Sequence, residues 1–249
     1  MAESNLHLHR LVLRDPLNLQ RRAREMRLPD HPYDPDYILH SVLNELVGPG
    51  RLQPFVTDPR SRGEAVLAYS RLDAEGLQQQ AQTVAPPEVF GLVDWEASQG
   101  KPLPTRWPVG KQVGFRARVS PVVRGPKGHG QNGVEPRKQR PEVDAYLARC
   151  WQQEEAPDRE AVYREWLGGE LSRAGAAEPV EMRMTGFRLK RALRRDGRRK
   201  AQAITRPDAL FQGTLRIADS EAFQALLARG LGRHRGFGFG MLLLTAEEG

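Results

Sequence analysis

Asp196-Gly197 is the dipeptide that most restricts how this chain can fold. An Asp-Gly pair between two extended stretches supplies the positive backbone angles of a tight turn. Val180 to Arg194 and Arg198 to Ile204 are therefore expected to pair as a hairpin, with Ala209 to Ile217 continuing it or adding a strand. Helical patterns stand on both sides. Before the hairpin, Pro141 is expected to open a helix carrying Val143, Tyr146, Leu147 and Trp151, and a second helical piece covers Asp158 to Arg173. After it, Phe223, Leu226 and Leu227 recur at helical spacing, with Ser220 as the candidate N-cap. Val113, Phe115, Ala117 and Val119 alternate as a strand ahead of all this, and Met241 to Leu244 form a short apolar run behind it. The order is βαββαβ, a ferredoxin-like unit over residues 111–249.

The first part of the chain repeats that order. Leu6 to Arg14 alternates as a strand, and the charged stretch Asp15 to Arg27 leads to Pro29, Pro32 and Pro35, which impose extended chain. A helix then starts near Pro35 or Asp36, with Leu39, Val42, Leu43 and Leu46 as its apolar stripe, and Gly48-Pro49-Gly50 stops it. Two short strands (Pro54 to Thr57, Glu64 to Ser70), a helix over Asp73 to Thr83 and a closing strand within Pro86 to Asp94 complete the pattern. The expectation is an α+β protein of two tandem ferredoxin-like units, residues 1–98 and 111–249. Residues 99–110, rich in proline and glycine, would be the linker.

Charge narrows the function. Lys plus Arg number 38 against 31 Asp plus Glu, a net +7, which favours a polyanionic partner and nucleic acid first. The excess is concentrated at the hairpin: Arg188, Lys190, Arg191, Arg194, Arg195, Arg198, Arg199 and Lys200 are balanced only by Asp196. Such a basic ribbon can lie along a nucleic-acid groove; the plain alternative is a solvated hairpin. The apolar runs are too short to cross a bilayer and the N-terminus lacks a signal-peptide pattern, so a cytoplasmic protein without a membrane partner is expected. The single Cys150 allows no internal disulfide, and no cysteine cluster points to zinc. Gly125 to Arg140 is a basic insert with Lys127, His129, Arg137, Lys138 and Arg140, expected to be disordered without a partner.

Gly230 to Gly240 holds five glycines in eleven residues, together with Arg233, His234, Arg235, Phe237 and Phe239. Glycines let a backbone approach a phosphate and turn its N–H groups toward an anion, so Gly232, Gly236 and Gly238 with those cations form a candidate phosphate-binding loop. It is neither a Walker loop, lacking Lys-Ser/Thr, nor a dinucleotide loop, because a helix precedes it and a strand follows. The alternative is a glycine turn that merely closes a sheet. Phe237 and Phe239 are expected simply to alternate into the last strand. Tyr37, His40 and Asn44, spaced by three and four, share one face of their helix.

The Tyr37-x-x-His40 helix start, the two ferredoxin-like units and the glycine loop before the last strand together resemble the CRISPR repeat-processing endoribonucleases. The likeness is greatest to the CasE family of type I-E systems. It implies metal-independent cleavage of a hairpin repeat RNA without a cofactor, by attack of a ribose 2′-hydroxyl on the neighbouring phosphate. The products would be a 2′,3′-cyclic phosphate and a 5′-hydroxyl. It also implies retention of the crRNA hairpin and assembly into Cascade beside the backbone subunit at the crRNA 3′ end. A non-catalytic RNA-binding subunit of that complex is the alternative. On its own terms the chemistry needs a group titrating near neutrality. His40 is assigned as general base or acid, and Tyr37 as orienting the ribose or donating to the phosphate. A nearby cation should stabilise developing charge, and the loop or the hairpin could supply it. His7 and His9 are expected to line a sheet face, His31 is a modest alternative catalyst, His129 belongs to the insert, and His234 is expected to contact phosphate.

Overall fold

The computed structural model describes residues 5–25, 35–61, 63–125, 141–195 and 201–245. Alternation works as anticipated in β1 (His7–Leu13), which turns His9, Leu11 and Leu13 inward. It lies at the centre of an antiparallel sheet of order β2-β3-β1-β4, with β2 Phe55–Thr57, β3 Ala65–Ser70 and β4 Val93–Pro102. Helix α2 (Pro35–Val47) buries Ile38, Leu39, Val42, Leu43, Leu46 and Val47 against this unit's core. Each such aliphatic side chain contributes about 1.5–3 kcal/mol when fully buried. Helix α3 (Ala74–Val84) is capped by Asp73, whose Oδ1 accepts from the Gly76 N–H at 2.7 Å, a contact that stabilises a helix by about 1 kcal/mol.

The second unit repeats the topology with longer strands. Its sheet has the order β10-β5-β9-β8, formed by β5 (Gln112–Val119), β8 (Ala177–Arg195), β9 (Ala201–Ile217) and β10 (Leu242–Thr245). Helices α6 (Arg159–Ser172) and α7 (Ser220–Arg229) bury Tyr163, Leu167, Leu171, Phe223 and Leu227 against Phe115, Phe211 and Leu215. Both sheets have the order of a ferredoxin-like fold, and the architecture is α+β with two such units in tandem. Leu6, Leu67 and Tyr69 of the first unit belong to the second unit's core. Tyr69 donates its hydroxyl to the Leu242 carbonyl at 2.8 Å. Burial pushes that phenol's pKa up, so it stays a neutral donor.

Several local expectations are corrected. Pro16–Glu25, read only as charged chain, is helix α1; Pro16 suits its first position, and Arg22 ties it to Glu45 of α2. The closing strand does not occupy Pro86 to Asp94. Pro87–Phe90 forms a helical turn, α4, and β4 starts at Val93. It then pairs with β1 as far as Pro102, inside the stretch expected as linker, because β1 offers partners that far along. The helix expected to start at Pro141 starts at Ala145. Glu142–Asp144 instead forms β7, paired with β6 (Val122–Arg124), and Asp144 caps α5 (Ala145–Cys150) by accepting from the Tyr146 N–H at 2.8 Å. The expected turn Asp196-Gly197, the insert over residues 126–140 and the charged 26–34 stretch lie outside the described residues. Among the described residues, no helix is long and apolar enough to cross a membrane.

Candidate active site and nucleic-acid interface

The stripe that buries α2 leaves Tyr37, His40 and Asn44 on its other side, facing the glycine loop. The loop is pinched at its neck. Leu231 N–H donates to the Gly240 carbonyl at 2.7 Å, and Gly240 N–H donates to the Arg118 carbonyl at 2.7 Å. A Cβ at Gly240, where φ is +79°, would lie 2.2 Å from the Leu231 carbonyl oxygen, so only glycine closes the neck. Between these ends, Arg235–Phe237 makes one 3₁₀ turn that lands on α2. Phe237 is not a residue alternating into the last strand. Its ring lies 4.5 Å from that of His40 and is stacked 6.0 Å from that of Tyr37. Gly236 passes so close that a Cβ there would stand 3.0 Å from His40 Nδ1.

His40 is half-buried. Burial lowers its pKa, and a hydrogen bond to the Gly236 backbone only partly opposes that, so the ring is neutral at pH 7. Asn44 holds its carboxamide 3.1 Å from Nε2 while its Oδ1 accepts from the Gly50 N–H at 3.4 Å, an orientation that presents Nδ2 as donor to the ring. The site therefore contains a neutral imidazole, a phenol one turn away, a glycine backbone in contact with the imidazole, and the Phe237 ring beside both.

One residue along α2 from Tyr37, Asp36 begins a chain of buried charges that crosses the two units. Arg118 Nη1 reaches Asp36 at 2.9 Å, and its other edge grips Asp208 at 2.8 and 2.7 Å. Arg188 joins Asp208 at 2.8 Å, and the Lys190 ammonium pairs with Asp36. Burial works against charge on Arg118, but the carboxylates outweigh it and hold the guanidinium pKa above its ordinary value. Burial likewise disfavours the Asp208 carboxylate, and Arg118 and Arg188 overcome it. Phe239 closes the chain, with the Arg118 guanidinium 4.4 Å over its ring. Lys190 thus spends its charge internally, whereas Arg188 is both paired and largely exposed, and Arg191 is exposed.

The other arm of the loop has its own charge cluster. His234 sits in the left-handed region at φ +62°, with Nε2 2.9 Å from Glu142. Arg206 points Nη1 at its Nδ1 at 2.9 Å, and because a guanidinium only donates, Nδ1 is the acceptor nitrogen. Arg233 contacts Glu142 at 2.7 Å. His234, and then Arg233, hold the Glu142 carboxyl down at about 2, against the opposing effect of burial. Gly232 N–H, expected to await an anion, already donates to the Glu170 carboxylate at 3.1 Å, and Arg235 donates to the Arg229 carbonyl at 2.7 Å. Gly238 lies against Asp36 and Arg118.

These groups border a cleft of about 1730 Å³ that takes in His40, Gln53, Gly232, Arg233, Arg235 and Phe237. A second cleft, of about 1030 Å³, takes in Asp36, Arg118, Arg188, Lys190 and Arg191. The structure thus brings Tyr37, His40, Gly232, Arg233, His234, Arg235, Gly236 and Gly238 into one neighbourhood; Asp36 ties Lys190 to it directly, and Arg188 is tied through Asp208 and Arg118. Arg194 and Arg195 lie on β8, described there in backbone only; Arg198, Arg199, Lys200, His31 and His129 lie outside the described residues. His9 is buried and bonds the Leu72 carbonyl at 2.9 Å, which makes it part of the packing. Asp36, Arg118, Asp208 and Phe237 are what residue patterns missed, since each owes its place to a partner distant in sequence. Among the described residues, no group of three or more His, Cys, Asp or Glu side chains is placed to hold a metal ion.

A family model described as "CRISPR associated protein" matches residues 6–246. The chain belongs to that family. Among solved structures it is similar to the CRISPR endoribonuclease Cse3 bound to 19 nt RNA, with 21% identity, TM-score 0.63, and coverage of 97% of this chain and 99% of that one. Cas6e from Escherichia coli K-12 aligns at 21% identity and TM-score 0.59, covering 97% and 100% of the two chains. A chain of a CRISPR RNA-guided surveillance complex, pre-nicking, aligns at 19% identity and TM-score 0.52, covering 97% and 100%. A search of curated protein sequences gives no match. These likenesses extend over both units and establish the shared fold.

Proposed function

We propose that this protein is a metal-independent endoribonuclease that cuts hairpin CRISPR repeat RNA into mature guide RNA and stays bound as a subunit of the Cascade surveillance complex. The observation that carries the reading is His40: a histidine held neutral by burial, one helical turn from Tyr37, pressed by Gly236 and Phe237 at the edge of a cationic cleft. The fold it shares with an RNA-bound CRISPR endoribonuclease and with a chain of a surveillance complex supports the same reading.

In this mechanism His40, neutral at working pH, is the general base. It takes the proton of the ribose 2′-hydroxyl as that oxygen bonds to phosphorus, and the bond from phosphorus to the 5′-oxygen breaks. The leaving 5′-oxygen takes up a proton from solvent and His40 returns its own to solvent, so the products are a 2′,3′-cyclic phosphate and a 5′-hydroxyl. No water or metal-activated nucleophile enters the step. Tyr37 orients the ribose or donates to the phosphate, and loop arginines offset the charge that builds on the phosphoryl oxygens. The basic ribbon of β8 and β9 holds the hairpin stem.

The test is cleavage of the cognate repeat RNA in excess EDTA by wild type and His40→Ala, with binding measured beside it by gel shift. Cleavage by wild type in EDTA, with a variant that binds but does not cut, upholds the proposal. Equal cutting by both removes His40 from the chemistry. Binding without cutting by either makes the chain an RNA-holding subunit.

A further inference from the structure

The cleft beside His40 extends well beyond the groups the proposed reaction uses. Its far wall is built by α5, α6 and β6, and at about 1730 Å³ it exceeds the ~300–1,000 Å³ typical of small-ligand pockets. Six arginines line it (Arg124, Arg149, Arg173, Arg229, Arg233 and Arg235) against three glutamates, so the lining favours an extended anion.

Two tryptophans stand in this wall, and they are used differently. Trp166 is committed to the fold: Nε1 donates to the Val122 carbonyl at 3.3 Å, and its ring lies against Gly232, where a Cβ would come within 2.6 Å of it. Trp151, the residue that ends α5, is 65% exposed, in a protein whose other tryptophans include a nearly buried Trp107. A large apolar ring left open on the rim of an arginine-lined cleft offers a stacking face, and every nucleobase can use one. The neighbouring Arg149 pairs with Glu165 at 2.8 Å in the open, a contact that solvent screens and a phosphate can compete for.

Building on the endoribonuclease reading, we propose that this wall is a subsite for the unpaired nucleotides that continue from the scissile phosphate, with one base stacked on Trp151. The chain on one side of the cut is held by the basic ribbon as a stem, while the strand on the other side leaves His40 along the cleft. The subsite discriminates between RNAs with and without a single-stranded flank.

The experiment measures dissociation constants with repeat RNA made uncleavable by a 2′-deoxy substitution at the cut, as stem alone and with several unpaired nucleotides added on either side. For wild type, a flank on one side should tighten binding about ten-fold, as one stacked base can. Trp151→Ala should lose that gain and leave stem-only binding within two-fold of wild type, while Trp151→Phe should keep most of it. Arg124→Ala should weaken only the flanked RNA. The inference is overturned if neither flank tightens wild-type binding, or if Trp151→Ala weakens both RNAs equally or neither. Its failure is separable from that of the endoribonuclease reading: stem binding without a flank effect removes the subsite alone, whereas no binding of either RNA removes both.

Discussion

In the first unit the middle hairpin is made of Phe55–Thr57 and Ala65–Ser70; in the second the equivalent strands are Ala177–Arg195 and Ala201–Ile217. The sheets have the same strand order, yet one hairpin ends with the sheet and the other runs far past it, carrying the basic run. The helices divide the other way. The first unit's α2 carries Tyr37 and His40, while the equivalent α5–α6 region of the second carries arginines and exposed tryptophan. One topology, used twice, therefore separates proton transfer from charge-based holding, and the glycine loop of the second unit reaches back to complete the first. What locks the two uses together is the buried chain Asp36–Arg118–Asp208.

Removing the reacting group should have the largest effect. His40→Ala should lower kcat by about 10²–10⁴-fold, the share typical of a general base, with RNA affinity within two-fold. Because burial depresses the His40 pKa, the base form predominates above it. The wild-type rate should therefore rise with pH and level off with a midpoint below the ordinary histidine value of about 6.5. A midpoint above that value, or a rate that falls with rising pH in this range, would contradict the general-base role.

Breaking the lock comes next. Asp208→Ala takes away one of the two carboxylates that hold the buried Arg118 guanidinium and leaves Asp36 alone to pair with it. Unmet donors of this kind cost about 1–3 kcal/mol, read as a lower midpoint in urea unfolding. A cost below about 1 kcal/mol would mean that the two units hold together without it. Gly236→Ala is subtler. The new methyl meets His40 Nδ1 at 3.0 Å, so the ring must move, and kcat should fall about ten-fold at unchanged affinity and unfolding midpoint. Glu165→Ala provides the quiet end of the comparison. Glu165 is itself exposed and its partner Arg149 only half-buried, and stability should change by less than about 1 kcal/mol.

Much of this was legible along the chain, for reasons that can be named. Alternation over Leu6 to Arg14 and the stripe through Leu39, Val42, Leu43 and Leu46 are periodic, and periodicity survives folding because it reports which face meets the core. Gly48-Pro49-Gly50 stops α2 through local geometry alone, and the helix expected over Asp73 to Thr83 is α3. Legibility failed where a distant partner decided. Pro16–Glu25 becomes a helix beside α2, with Arg22 on Glu45. Glu142 becomes a strand residue because Val122–Arg124 is there to pair with it. Lys190 looked like one more RNA-facing cation until the fold brought Asp36 to it.

By itself, then, the sequence determined the two βαββαβ units, the basic ribbon, the glycine loop and the shared helix face of Tyr37 and His40. All of these follow from the period of a helix or strand, from turn chemistry, or from charge counted along the chain. Only the tertiary structure decided that Phe237 lies on that helix face, that Gly236 presses the imidazole, and that Asp36 meets Arg118. The physical reason is sequence distance. Residues nearly two hundred positions apart come into contact only when two separately patterned units bury a common core, and nothing in the local spacing of either partner encodes that meeting.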